Sequence, residues 1–462
     1  MRALASALLL AGALLLAGCR EAGGAPQDPI DREAEELFVR FLAFDTTNPP
    51  GNETPAAEFL RDFLVKEGID ARLVGGDPKR QGVYARLSSG TNEKALLLLS
   101  HLDIVPAGTE GWTHPPFSGA RDVGYIWGRG ALDMKSTTIA HLFAVAELKR
   151  RGAKLRRDVI FLAVPDEELG GLQGTKALLD TRPDLFENVG FVIGEGGTNE
   201  TAVDKVIFWG IEVQQKNPLW LRLTSEGSAG HGASPPENGG AARKLVRALA
   251  RVAEIETPYA LDPSVARSAE ALARIRTDGR GPFFRHIREP LDMEAIRRDL
   301  PGGFRVLLHD TIAITHIEAG SAVNVIAPRA FAEIDIRLLP GRTPDAMLEA
   351  VRKAAGDDAK VEVLLSSPPV PDSPASGELY ETIARAMRES SPGSTVGPVV
   401  TSGTNDGRFF RARGIAAYGL GPFKINYYDA DGIHGPDERI RARFFADGVR
   451  LMRRIVRDFC AQ

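Results

Sequence analysis

The stretch Ala95-Leu96-Leu97-Leu98-Leu99-Ser100-His101-Leu102-Asp103-Ile104-Val105-Pro106 decides how the rest of the chain is read. Four consecutive leucines without helical alternation predict a strand buried on both faces of a sheet. His101 closes the run, and Asp103 follows on the same face, because side chains in extended chain repeat every two residues. A histidine at the tip of a buried strand, with a carboxylate beside it, suits a metal. The imidazole would bind through one nitrogen while the acid fixes its tautomer. The same residues also suit a capped strand end, in which His101 and Asp103 hydrogen-bond only each other. This stretch alone leaves both readings open.

With 462 residues the chain is long for one core and predicts two domains plus extras. Its 43% hydrophobic and 26% charged residues are ordinary for a globular protein. A net charge of -4 and a pI near 6.1 leave no basic footprint, so no nucleic-acid partner is expected. Two cysteines, Cys19 and Cys460, exclude both a disulfide framework and a cysteine zinc site. At the N-terminus Arg2 precedes an apolar run, Ala3 to Ala17, too short for a comfortable membrane span. It ends in Leu16-Ala17-Gly18-Cys19, which resembles a bacterial lipobox. That resemblance implies a signal peptide over 1–18, a lipidated Cys19 as mature N-terminus, and a tether over 19–31. The folded part would then work in the cell envelope, on the periplasmic side of a bacterial membrane, held there by acyl chains.

Outward from the leucine run, strands and helices alternate. Helices are expected over 32–44, 53–66 and 137–151, and all-apolar strands over 158–164 and 189–193. This pattern predicts an α/β sheet covered on both faces, with functional residues beyond the strand ends. From Glu212 the pattern changes. Half-buried alternation at 219–224 and 330–338, with helices over 239–255 and 344–355, reads as a separate α+β domain inserted at 213–367. The proline-rich stretch Ser366-Ser367-Pro368-Pro369-Val370-Pro371 returns the chain to the first domain, which therefore comprises 32–212 and 368–462. The stretch 283–300 fits neither pattern; it either lines a pocket or packs the insert.

The strand ends deliver acids and histidines in series: His101 and Asp103, then Glu167 and Glu168, then Glu195. Asp133 sits in a glycine-flanked turn between them, and His434 arrives late from a loop. Singly these residues have ordinary explanations, Glu168 as a helix-capping acid or His434 as a surface imidazole. Jointly, acids converging on one sheet edge repel unless a cation neutralises them.

The set His101-x-Asp103, Trp112-Thr-His-Pro-Pro-Phe-Ser-Gly119, Trp127-Gly-Arg-Gly-Ala-Leu-Asp133-Met-Lys135, Asp166-Glu167-Glu168 and Gly194-Glu195-Gly-Gly197 resembles the M20 metallopeptidase family. Within it the chain is most similar to the aminoacylase and Gly-X carboxypeptidase branch. The resemblance implies a mixed-sheet zinc-exopeptidase catalytic domain carrying an inserted, ferredoxin-like lid and dimerisation domain. It implies two Zn2+ per subunit, with Co2+ or Mn2+ as substitutes: His101 and Glu195 on one ion, His434 and Glu168 on the other, and Asp133 bridging. Glu167 would be the general base toward a bridging water, and Asp103 would orient His101. The peptide after Asp133 tends to be cis in this family.

In the insert, His231 matches the histidine that hydrogen-bonds the oxyanion, often of the partner subunit, which implies a homodimer through this domain. Its plain alternative is a turn histidine. Arg337 resembles the arginine that grips the substrate α-carboxylate, against a plain pairing with Asp335. Asn324 resembles a residue holding the carbonyl or carboxylate. Gly403 and Thr404 lie in a stretch that resembles the loop whose backbone donors hold that carboxylate. The expected reaction is hydrolysis of the amide of an N-acyl amino acid or short peptide to release a free amino acid. A dipeptidase or carboxypeptidase of the same fold is the nearest alternative, and a non-catalytic binding lipoprotein a more distant one.

Overall fold

The computed structural model describes residues 28–237, 239–275, 281–288, 300 and 302–462. The expected signal peptide, Cys19 and the tether up to residue 27 lie outside the described residues.

Helix α1 (Pro29–Leu42) starts on the Asp28 side chain, which accepts from the Ile30 amide, and buries Leu37, Phe38, Phe41 and Leu42. Helix α2 (Thr54–Lys66) follows, then strands β1 (Ala71–Val74), β2 (Gly82–Leu87) and β3 (Ala95–His101). After β4 (Arg121–Asp122) and β5 (Tyr125–Trp127) comes helix α3 (Lys135–Arg150), then β6 (Val159–Val164), β7 (Val189–Gly194), β8 (Thr198–Ala202) and β9 (Lys205–Gln215). The insert holds β10 (Asn217–Glu226), β11 (Gly230–His231), α4 (Gly240–Ala253), α5 (Pro263–Ala273), β12 (Thr311–Ala319), β13 (Val325–Ile326), β14 (Arg329–Leu338), α6 (Pro344–Ala355) and β15 (Lys360–Ser366). The chain ends with α7 (Glu378–Ser390), β16 (Thr395–Thr401), α8 (Gly407–Arg411), β17 (Ala416–Gly419), β18 (Arg439–Arg441) and α9 (Ala442–Cys460).

The large sheet runs β1-β2-β6-β3-β7-β17-β9-β16, with β8 beside β9. Strand β3 is central and parallel to both β6 and β7. Its leucines serve two cores by simple alternation. Leu96 and Leu98 pack with α1, α3 and α9, whereas Leu97 and Leu99 join Leu178, Leu185, Phe409 and Phe410 on the other face. That is why the run shows no polar alternation. The C-terminal ends of β6, β3 and β7 lie side by side, His101 being in register with Val164.

The chain leaves this sheet at Lys216, whose buried ammonium donates to the carbonyls of Val306 and His309, both at 2.9 Å. The second sheet has the order β12-β14-β10-β15 and is antiparallel throughout. With α4 and α6 between its strands it is a βαββαβ unit with strand order 4-1-3-2, the ferredoxin-like arrangement. Leu219, Leu221 and Leu223 of β10 point into its core, as the alternation predicts. The stretch 283–300 does something else. Phe284 and Phe304 stack edge to face at 4.9 Å and pack with α5 against Phe208, Val399 and Val400, covering the β16 edge of the large sheet; residues 289–299 lie outside the described residues.

Strands β9 and β16 are absent from the sequence reading. In β9, Glu212, Gln214 and Gln215 interrupt the apolar pattern, yet all three are buried. Their polar groups are satisfied by tertiary partners that no local pattern announces.

Candidate metal centre

Adjacent strand ends bring the expected acids and histidines together. His101 Nε2 lies 3.0 Å from one oxygen of Asp133 and 3.5 Å from Glu195. His434 Nε2 lies 3.1 Å from the other Asp133 oxygen and 3.4 Å from Glu168. The two oxygens of Asp133 therefore face one histidine each. Candidate ligand atoms of His101, Glu167 and Glu195, and of His101, Asp133 and Glu168, form two groups in which all lie within 4.8 Å of one another. The Asp133–Met134 peptide is cis.

Asp103 reaches His101 by a different atom from the one expected. Its backbone carbonyl accepts from His101 Nδ1 at 2.8 Å, while its carboxylate stands 3.7 Å away. The carboxylate accepts instead from the amides of Glu167 and Glu168, each at 3.1 Å, and from Asn48 Nδ2 at 2.9 Å. Extended chain places the Asp103 carbonyl under the ring and leaves its side chain to hold the neighbouring loop. Asp103 thus fixes the tautomer with its backbone and the Glu167-Glu168 turn with its side chain.

The donor set fits cations. Glu167 Oε1 and Glu168 Oε1 are buried with no hydrogen-bond donor. Burial, then the charge of Glu195, pushes the Glu167 carboxyl well above its ordinary range. Burial likewise raises Glu195 to about 7. Burial opposes ionisation of Asp133 too, but hydrogen bonds from His101 and His434 outweigh it and hold this carboxyl far below its ordinary range. Hydrogen bonds to Asp133 and Glu168 lift His434 to about 10. Each shift marks a place where positive charge is wanted, and hard carboxylates mixed with imidazoles are the ligands of divalent metals such as zinc.

Sequence reasoning missed Glu438. Its buried carboxylate accepts from the amides of Gly130, Leu132 and Asp133 at 2.8–3.1 Å and from Arg129 at 2.8 Å. It lies four residues beyond His434, so it ties the turn carrying Asp133 to the loop carrying His434. Only its place in the Asp437-Glu438 pair after Gly435-Pro436 could have drawn notice.

The acids open into a cleft of about 410 Å³ that also has Trp220, Arg337, Gly403, Thr404 and Asn405 on its walls. Arg337 lines it while its fork is held by Asp335 at 2.7 and 2.8 Å, so the plain pairing is present and the arginine still borders the cleft. One of its nitrogens, Nη1, is buried without a partner. Thr404 Oγ1 accepts from Gln215 Nε2 at 2.7 Å, which leaves its hydroxyl proton available. His231 and Asn324 are elsewhere. Both are exposed at the short antiparallel β11–β13 pairing of the insert, next to one another, and neither lines the cleft.

Buried carboxylates that need cations, set at the edge of a mixed sheet and faced by a second domain, define a metallohydrolase. The chain belongs to peptidase family M20/M25/M40, whose family model matches residues 97–458. It is 28% identical over 429 residues to human aminoacylase-1, covering 91% of this chain and 93% of that one. It is 30% identical over 396 residues to the N-fatty-acyl-amino acid synthase/hydrolase PM20D1 of Xenopus tropicalis, covering 78% and 72%. Among solved structures, the M20 metallo-carboxypeptidase Sso-CP2 of Sulfolobus solfataricus matches with TM-score 0.69 at 20% identity, covering 92% of this chain and 98% of that one. The dipeptidase Dug1p of Saccharomyces cerevisiae matches with TM-score 0.71 at 15% identity, covering 93% and 96%. These likenesses carry the fold: a mixed sheet with an inserted domain.

Proposed function

We propose that the protein hydrolyses the amide bond of N-acyl amino acids, releasing a free amino acid, with two divalent cations held by His101, Glu195 and Asp133 and by His434, Glu168 and Asp133. Zinc suits this ligand set, with Co2+ or Mn2+ as substitutes. Bound there, the ions supply Lewis acidity and neutralise the acids around them. The observation that carries the reading is Glu167, a buried carboxylate with a free oxygen and a candidate ligand atom within 4.8 Å of those of His101 and Glu195. Its raised pKa suits a general base, which takes a proton from the attacking water and returns it to the leaving amine. Asp103 holds Glu167 in place by accepting from its backbone amide. Arg337 and Thr404 offer unpaired donors to the carboxylate of the amino acid.

His231 does not line the cleft of its own chain. It fits a role in a second copy's cleft, and this supports a homodimer through the insert. Anchoring at Cys19 in the cell envelope is proposed from the lipobox resemblance. Palmitate labelling of the wild type and of Cys19→Ala tests it, and equal labelling of both would remove it. For the reaction, hydrolysis of N-acyl amino acids is compared with that of dipeptides. Faster release from dipeptides would replace the aminoacylase reading by a dipeptidase one. Glu167→Gln should keep two ions per chain and lose turnover; an active variant would remove Glu167 as the base.

A further inference from the structure

Strand β9 carries a carboxylate that the reaction scheme leaves unused. Glu212 is fully buried, yet it belongs to the wall of the cleft. Burying a carboxylate is costly unless it is paired and hydrogen-bonded, and its partners come from three other segments. Arg411 of α8 donates at 2.8 Å, Thr401 at the end of β16 at 2.8 Å, and Asn405 Nδ2 reaches both oxygens at 2.9 and 3.1 Å. On its other side lies the loop of Glu195. A Cβ on Gly196, which has φ +111°, would stand 2.2 Å from Glu212 Oε2, so only glycine lets that loop close against the carboxylate.

The Asn405 amide is consumed within the protein, its oxygen accepting from the Gly407 amide. It braces the loop and leaves Gly403 and Thr404 to face the cleft. Arg411 also reaches Gln215 Oε1 at 3.1 Å, which orients the amide whose nitrogen donates to Thr404. Arg411 has a second effect. It cancels a negative charge that would otherwise stand behind the loop where a substrate carboxylate is expected.

We propose that the buried Glu212–Arg411 pair is a positioning device for carboxylate recognition: it sets the Gly403–Asn405 loop and keeps its surroundings neutral, so that an amino acid with a free carboxylate is accepted. This rests on the amino-acid-releasing reading above.

The test compares Glu212→Gln, Arg411→Gln and the double variant, using the N-acetyl amino acid that the wild type hydrolyses fastest. Inhibition by the free amino acid and by its carboxamide is measured alongside. Each single variant should raise KM at least tenfold with kcat within threefold of wild type. The double variant, with charge balance restored, should recover at least threefold of that loss. Inhibition by the amino acid should weaken in parallel, and inhibition by the carboxamide should change less than twofold. Unchanged KM in the single variants, or equal weakening for carboxylate and carboxamide, overturns the proposal. If a single variant does not fold, Thr401→Val decides: it removes one donor and no charge, and a KM within a factor of two of wild type would count against Glu212. A wild type that hydrolyses neither N-acyl amino acids nor dipeptides overturns the functional reading, and the proposal with it.

Discussion

The edge of the large sheet and the two-stranded β11–β13 pairing of the insert each carry residues expected in the active site, and they differ in almost every physical respect. At the sheet edge His101, Glu167, Glu168 and Glu195 are held by three adjacent strand ends, and His101 is 2% exposed. At the β11–β13 pairing His231 and Asn324 are exposed, and the two paired strands are two residues long each. The first region brings the expected ligands together within one chain. The second contributes nothing to the walls of the cleft. Residues that a buried sheet delivers find one another by the geometry of the sheet; residues on a short exposed pairing have no such geometry to collect them.

That contrast can be broken from either side. The largest effect is expected at the sheet edge, where Glu167→Gln should lower kcat by roughly 10²–10⁴-fold with metal content unchanged by elemental analysis. Removing metal with phenanthroline should abolish turnover, and adding Zn2+ should restore it; a metal-free active protein would dissolve the ligand assignment. Glu438→Gln should weaken metal affinity by roughly 10–100-fold, read by competition with a chromogenic chelator, because the turn bearing Asp133 loses a charged acceptor. On the insert side, Arg337→Met should raise KM by about 10–100-fold, the worth of a charge-assisted hydrogen bond, with little change in kcat. His231→Ala sharpens the comparison most. If His231 works in a second copy's cleft, turnover falls about tenfold or more, as expected on losing an oxyanion donor. Mixing this variant with Glu167→Gln would then restore part of the activity. No loss in His231→Ala would leave it a turn residue. The smallest functional effect is expected for Leu97→Ala, which should cost about 2–5 kcal/mol of stability in a denaturant titration and leave KM alone.

Much of the sheet edge was legible in the sequence because its rule is local. A run of apolar residues that ends in a ligand type needs no knowledge of distant chain, and it occurs at β3, β6 and β7. The same rule failed on β9, where buried Glu212, Gln214 and Gln215 disguise a central strand as surface. It failed again on the stretch 283–300, whose Phe284 packs on the edge of the large sheet instead of in the insert. In both cases the deciding partners are far away in sequence: Asn405 and Arg411 for Glu212, Val399 and Val400 for Phe284. The Asp103 side chain shows the same limit at finer grain. Its position two residues after His101 was correct, yet which atom meets the ring depended on where the Glu167-Glu168 turn came to lie.

By itself, then, the sequence determined the alternation that makes an α/β sheet, the change of pattern that marks an α+β insert, and the residue types at the strand ends, while the mixed sheet and the ferredoxin-like insert were implied by the family resemblance. Periodicity and charge repulsion are properties of neighbouring residues and need no coordinates. Only the tertiary structure decided that Glu438 holds the Asp133 turn, that Glu212 and Arg411 neutralise each other behind the Gly403–Asn405 loop, and that His231 stands clear of its own cleft. Those facts depend on segments up to 309 residues apart meeting in a buried place. There a polar group persists only if a partner arrives from elsewhere in the chain.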